Sequence, residues 1–201
     1  RMKAQKVDGP FRRADYPIFP TLVQVYDLQE NPCNELITNY INSAKVTPWP
    51  VDIGNGLSNS TNEMNVLDKF AVKDDIQSCL DEYCDTVGLG PVEIGKSWVN
   101  IQEESGHIAS HRHELSIISG AYYPFVEPNS SPLVFTSPIL APKMAEVHNK
   151  ATEFTSNNME FDIRTGILVL FPSWLYHYTV TNQSTKRITL SFNTHHKTLD
   201  K

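Results

Sequence analysis

Cysteine is scarce in this chain of 201 residues: Cys33, Cys79 and Cys84 form an odd set with no C-x-x-C pair. That argues against a disulfide framework and points to a reducing compartment, with the thiols as small core residues. Positive charge is short as well. The 17 Lys and Arg are scattered and outnumbered by 23 Asp and Glu, giving a net charge of -6. No basic stripe exists to neutralise a run of phosphates, so nucleic acid is a disfavoured partner. No apolar run approaches the roughly 18 residues of a membrane span, and the opening RMKAQKVDGP is too polar for a signal peptide. A soluble, cytoplasmic protein without membrane association is expected. Internal repeats and low-complexity tracts are absent, and the length suits one domain with a substantial core.

What is present divides into two textures. In the first half, PIFPTLVQVYDL alternates apolar and polar residues from Leu22 to Leu28 and reads as an entry strand. Asn31 followed by Pro32 signals a helix start, with Leu36, Ile37, Tyr40, Ile41 and Ala44 on one face. Residues 48–62, rich in Gly, Asn, Ser and Pro, read as an irregular segment that lies over a pocket. A second helix from about Asp74 carries an apolar stripe from Ile76 to Val87, and Gly88 is placed to end it.

From Ser97 onward, short runs of Val, Ile, Phe, Tyr and Thr are separated by turn residues, the pattern of a β-sandwich or barrel. The expected strands are SWVNIQ, a short one at HRH, LSIISGAYYPFV, PLVFTS, GILVLFP, HYTVT and RITLSFN. Residues 138–162 show little periodicity and read as an excursion from the sheet. The fold class is therefore mainly β with flanking helices: helical support over 28–96 and a β core over 97–196.

Three of the seven histidines stand in or beside predicted strands of the β half. Residues two apart on a strand point to one side, so His111 and His113 can both face a barrel interior, whereas Glu114 points the other way. His177, delivered by GILVLFPSWL, completes a facial set that suits Fe, Zn, Cu or Ni and leaves coordination positions open. Ten residues on, Arg187 opens a strand on which Arg187, Thr189, Ser191 and Asn193 share one face and Ile188, Leu190 and Phe192 the other. The polar face is either turned inward or solvated. If it is inward, the guanidinium can hold a small dicarboxylate by a bidentate contact. Trp49, Trp98 and Trp174 are candidates to line the cleft, with core packing expected for at least two of them. His107 reads as a loop residue near the entrance, and His148, His195 and His196 as surface residues.

The string HRHELSIISGAYY, followed by LVLFPSWLYHYTVTNQSTKRITLSFN, resembles the 2-oxoglutarate-Fe(II) oxygenase family found in marine bacteria and their phages, whose members carry an H-x-H, an SG-x-YY and a late FPSWL-x-H. The resemblance implies a double-stranded β-helix (jelly-roll, cupin-like) barrel, distantly similar to prolyl hydroxylases. It implies Fe(II) held by His111, His113 and His177, with 2-oxoglutarate as cosubstrate and O2 as oxidant. The expected outcome is hydroxylation with release of succinate and CO2. Asn100, Gln102 and His111 also reproduce a spacing of the alkylation-repair dioxygenases, with Gln102 in place of a Tyr; RITLSFN resembles their terminal strand, with Asn193 in place of its final Arg. Arg187, Asn100, Gln102, Thr189 and Asn193 are thus the cosubstrate candidates, joined by Tyr122 or Tyr123 as a hydroxyl donor.

One departure matters. Most such oxygenases place a carboxylate where His113 stands, so this chain has a three-histidine site, or Glu114 reaches the metal through a distorted backbone, or oxygenase activity is lost. We favour the first. Rival readings are a cupin-like metal dioxygenase that does not use 2-oxoglutarate and a non-catalytic jelly-roll binding or structural protein. The primary substrate, a small molecule or a peptidyl side chain, is not named by the sequence, and a homodimer is left open.

Overall fold

The computed structural model describes residues 5–7, 13–15, 19–50, 52–139 and 146–197. Strands β1 (Gln5–Val7) and β2 (Arg13–Asp15) pair as a small antiparallel sheet. β3 (Gln24–Asp27) leads into α1 (Cys33–Ile41), which begins where Asn31 Oδ1 accepts the Cys33 N–H at 3.0 Å. The side-chain oxygen satisfies one of the free donors at the helix start. β4 (Val46–Pro48) and β5 (Ser58–Thr61) follow, then a 3-10 turn and α2 (Val72–Val87). α2 stops at Gly88, whose φ of 74° lies in the left-handed region that costs a side chain most.

The remaining elements are strands: β6 (Val92–Glu103), β7 (Ile108–His111), β8 (Ile118–Val126), β9 (Leu133–Thr136), β10 (Asn158–Phe161), β11 (Ile167–Pro172), β12 (His177–Thr179) and β13 (Lys186–His196). They form a seven-stranded sheet in the order β3-β11-β8-β13-β6-β5-β4 and a four-stranded sheet in the order β10-β9-β12-β7. Together the two sheets make the double-stranded β-helix.

Alternation sorts the side chains of the larger sheet into two cores. Tyr122, Leu168, Leu170, Ile188, Leu190 and Phe192 face outward and are covered by Ile37 and Ile41 of α1 and Ile76 and Leu80 of α2. Their neighbours Tyr123, Ile167, Val169 and Phe171 face the barrel interior with Leu133 and Phe135. Each fully buried aliphatic or aromatic side chain contributes about 1.5–3 kcal/mol. Both helices therefore serve as a lid on one sheet face, and the other face is left to the site.

The segment expected to be irregular over 48–62 is partly ordered: β4 and β5 form a hairpin that extends the larger sheet. Its polar residues belong to a strand because their hydroxyls are paired, Ser58 Oγ donating to His107 O at 2.9 Å and Thr61 Oγ1 accepting the Val99 N–H at 3.0 Å. The hairpin loop closes the barrel edge. Gly54 bridges to Ile108, Ile53 O accepts the Ala109 N–H, and a Cβ on Gly54 would lie 2.7 Å from His107 O. The 138–162 excursion, of which residues 140–145 lie outside the described residues, returns to the smaller sheet as β10, paired with β9. No helix of the described residues is long and apolar enough to cross a membrane.

Candidate active site

His111 closes β7 and His177 opens β12, and the antiparallel pairing of these strands sets the two directly opposite each other. His113 lies past the end of β7, where its N–H donates to Ser173 O at 2.9 Å. The expected strand at HRH therefore ends at its first histidine; a backbone tie, rather than the two-residue strand period, brings His113 inward. Ring centroids are 4.4 Å apart for His111 and His177, 5.1 Å for His113 and His177, and 5.2 Å for His111 and His113. One ring nitrogen from each lies within 4.8 Å of the others, a cluster that could hold a metal ion.

The rings are prepared for that task. His111 Nδ1 is 2.8 Å from Ala109 O and His177 Nδ1 is 2.9 Å from Leu175 O. A carbonyl only accepts, so both Nδ1 atoms carry the proton and both Nε2 lone pairs are free to ligate. Burial lowers all three basicities: His113 to about 4, with His111 adding repulsion, His177 to about 3 for the same reasons, and His111 in the same direction. Near neutral pH the cluster is three uncharged imidazoles.

Beneath His113, hydroxyls hold the loop. Ser173 is fully buried; its Oγ donates to Ser116 Oγ at 2.9 Å and sits 2.8 Å from Ser119 Oγ, which bonds Asn193 Oδ1 at 2.8 Å. Asn193 thus serves this network and does not line the cavity.

The cavity runs along the β6–β13 ladder, where Gln102 faces Arg187, Asn100 faces Thr189 and Trp98 faces Ser191. It holds about 50 Å³, room for a few waters, and is lined by the three histidines, Arg187, Thr189, Ser191, Asn100, Tyr123, Trp98 and Trp49 among others. Arg187 is only 2% exposed. It donates to Gln102 Oε1 and, at 3.3 Å, to Tyr123 Oη, and its guanidinium carbon lies 5.0 Å from the Tyr123 ring centre. No Asp or Glu lines the cavity. Burial pulls the Arg187 pKa down, yet guanidinium stays a cation in proteins, so this charge is buried without an anion.

Of the six buried side-chain polar atoms without a partner among the described residues, four belong to cavity-lining residues: Arg187 Nε, Asn100 Oδ1, Trp49 Nε1 and Trp98 Nε1. Buried polar groups are rarely left so; their gathering in one place marks a ligand site.

Gln102 lies behind Arg187, orienting it and donating to Thr179 Oγ1 at 2.8 Å. Tyr122 points to the helical side and bonds Asn34, whereas Tyr123 is the inward tyrosine. Glu114 is 76% exposed and 3.4 Å from Arg112, outside the cluster. His107 holds Ser58 through its carbonyl at the barrel edge, and His148, His195 and His196 are exposed. Core packing for at least two tryptophans is not what the structure contains: Trp49 and Trp98 line the cavity and Trp174 is 51% exposed. An indole N–H needs a partner that neither apolar cluster supplies. Thr179 was not singled out by the sequence, although its place two residues after His177 puts it on the same strand face.

Residues 96–193 match the family described as "Putative 2OG-Fe(II) oxygenase", a span that contains β7 to β12, all three histidines and Arg187. Over this span the chain is a 2-oxoglutarate-Fe(II) oxygenase. Fe(II), 2-oxoglutarate and O2 are the metal, cosubstrate and oxidant of this oxygenase. Its fold is shared with a 2OG-Fe(II) oxygenase-family oxidoreductase from Burkholderia pseudomallei (TM-score 0.62, 8% identity, 86% of this chain and 84% of that one). It is shared also with a Pseudomonas putida prolyl-4-hydroxylase (0.57, 10%, 89% and 94%). A third likeness is HygX from Streptomyces hygroscopicus, solved with nickel, 2-oxoglutarate and hygromycin B (0.59, 10%, 88% and 84%). No curated protein matches the oxygenase by sequence.

Proposed function

We propose that the chain is a cytoplasmic 2-oxoglutarate-dependent hydroxylase in which His111, His113 and His177 hold Fe(II) and Arg187 holds the remote carboxylate of 2-oxoglutarate. The observation that carries this reading is the buried, anion-free guanidinium of Arg187 in the same cavity as three convergent neutral imidazoles. The three imidazoles would hold the metal, and the Arg187 guanidinium would hold a carboxylate of the dicarboxylate by charge-assisted bonds.

The other residues position and exclude. Gln102 and Tyr123 fix the guanidinium plane, and Thr189 is a further residue lining the same cavity. Asn100 Nδ2 now donates to Ser191 Oγ at 3.0 Å. A serine hydroxyl can donate as readily as accept, so a half-turn of the Asn100 amide keeps that bond and turns Nδ2 toward the anion. Phe135 and Phe171 pack at 6.1 and 4.7 Å from the His177 ring and keep water from its far side. Bound iron and 2-oxoglutarate supply the oxidising chemistry that places one atom of O2 on a C–H carbon, 2-oxoglutarate leaving as succinate and CO2.

The primary substrate is a small molecule or a peptidyl side chain. Both kinds occur in the names of proteins sharing the fold: hygromycin B bound to HygX, and a hypoxia-inducible factor peptide bound to a Trichoplax adhaerens prolyl hydroxylase. A three-histidine dioxygenase that does not use 2-oxoglutarate suits the ligand set, and leaves Arg187 without a purpose. The test is paired. His177→Ala should abolish Fe(II) binding, whereas Arg187→Ala should retain iron and raise the 2-oxoglutarate requirement steeply, read by succinate formation. Unchanged cosubstrate dependence in the second variant refutes the assignment of Arg187.

A further inference from the structure

We infer that Trp49 and Trp98 form the primary-substrate subsite and that the substrate presents a carboxylate to them. The inference rests on the proposed function and adds the chemistry of the third participant. Its first support is a hydrogen-bond count. Ionised 2-oxoglutarate satisfies Arg187 Nε and, through the amide half-turn, Asn100. Trp49 Nε1 and Trp98 Nε1 remain, both buried, both from cavity-lining residues, both donors only. Bulk water is shut out from Trp98, which is 7% exposed.

The second support is charge. An imidazole that ligates a metal does so neutral, Arg187 is a cation and no acid lines the cavity. With Fe(II) and doubly charged 2-oxoglutarate in place, the sum is one positive charge left over in a buried space. An uncompensated buried charge is unfavourable, and an anion that also accepts two N–H bonds removes both deficits. A carboxylate at His113's position would have cancelled that charge; its absence makes room for the substrate's.

Geometry locates the subsite. Trp98 faces Ser191, two inward-facing positions along the ladder beyond Arg187, and its ring is 5.8 Å from that of His113. Trp49 is fixed on the β4–β5 hairpin, its backbone N–H donating to Ser58 O at 2.8 Å, and the same loop closes onto β7 at Gly54. Trp49 lies just past the end of β4 and Trp98 within β6, and both line the cavity with the guanidinium that takes the cosubstrate.

Three tryptophans give three indole N–H resonances, so the test is nitrogen-15 NMR of the full chain. Diamagnetic Zn(II) replaces iron, 2-oxoglutarate is saturating, and single Trp→Phe variants give the assignments. Benzoate and benzamide serve as probes of equal shape. The Trp49 and Trp98 resonances should move downfield with benzoate, which should bind about tenfold tighter than benzamide, while Trp174 stays still. Equal or tighter binding of benzamide, movement of Trp174 alone, or benzoate that only displaces 2-oxoglutarate overturns the inference. Should 2-oxoglutarate itself fail to bind in calorimetry beforehand, the parent reading falls and this one with it; if it binds and the indoles do not respond, only the carboxylate subsite fails.

Discussion

Strand β13 turns its two faces to two different economies. Ile188, Leu190 and Phe192 look toward the helices, are all buried in a hydrophobic cluster and themselves carry no side-chain polar atom to satisfy. Arg187, Thr189 and Ser191, the residues between them, look into the cavity and include a charge with no counter-ion. One face holds the fold together, and the other holds groups whose bonds are incomplete until ligands arrive. A single strand with period two supplies both because alternation separates them by the thickness of a sheet. The unpaired groups reduce the stability of the ligand-free protein and prepare it for binding, a trade seen wherever function needs polar groups indoors.

Breaking this comparison begins at the metal. His177→Ala removes one of three ligands and should reduce bound iron in anaerobic metal analysis from stoichiometric to background, with cosubstrate turnover lost. Next is the charge itself. Arg187→Met keeps approximate volume while removing an unpaired buried cation, so 2-oxoglutarate affinity should fall about a hundredfold. Thermal stability of the ligand-free protein should hold or rise, since replacing buried charge by apolar atoms is often neutral or stabilising by about 1–4 kcal/mol. A large loss of ligand-free stability in Arg187→Met would show that the two faces are not separate in their roles. The opposite face should respond in the opposite way: Leu190→Ala should cost about 2–5 kcal/mol in chemical denaturation, with iron and 2-oxoglutarate affinities of the folded fraction unchanged.

Smaller effects sharpen the picture. His113 and His177 are held at about 4 and about 3 by burial, below their unfolded value near 6.5. The unfolded chain therefore binds protons that the fold refuses, and stability of the metal-free protein should decline as pH falls from about 6.5 toward 4. A denaturation midpoint flat across that window would contradict the buried placement of the rings. Glu114→Gln should alter neither iron content nor cosubstrate affinity, because that side chain is 76% exposed; loss of iron there would restore the carboxylate-ligand alternative.

The sequence made much of this legible, and the reasons are physical. The alternation over RITLSFN separates polar from apolar side chains, and the structure turns the polar row inward as far as Ser191. It fails at Asn193 because a register shift between Phe192 and Thr194 breaks the period. His111 and His177 stand opposite each other through strand pairing, which a pattern of separate strands cannot foretell; His113 arrives by a loop tied to Ser173. β5 was hidden because Ser and Asn at strand positions look like loop until the partners of their hydroxyls are known. β10 was hidden because NMEF is exposed on three of its four residues and carries no buried alternation. The tryptophans were misjudged for a related reason: hydropathy records the ring and not the N–H that must find an acceptor.

The central claim is tested most directly by a crystal structure of the anaerobic protein with Fe(II) and 2-oxoglutarate. The account expects iron bound by one nitrogen each of His111, His113 and His177, and the remote carboxylate of 2-oxoglutarate against the Arg187 guanidinium. Iron ligated by Glu114, iron missing one of the three rings, or a cosubstrate carboxylate held away from Arg187 would contradict it.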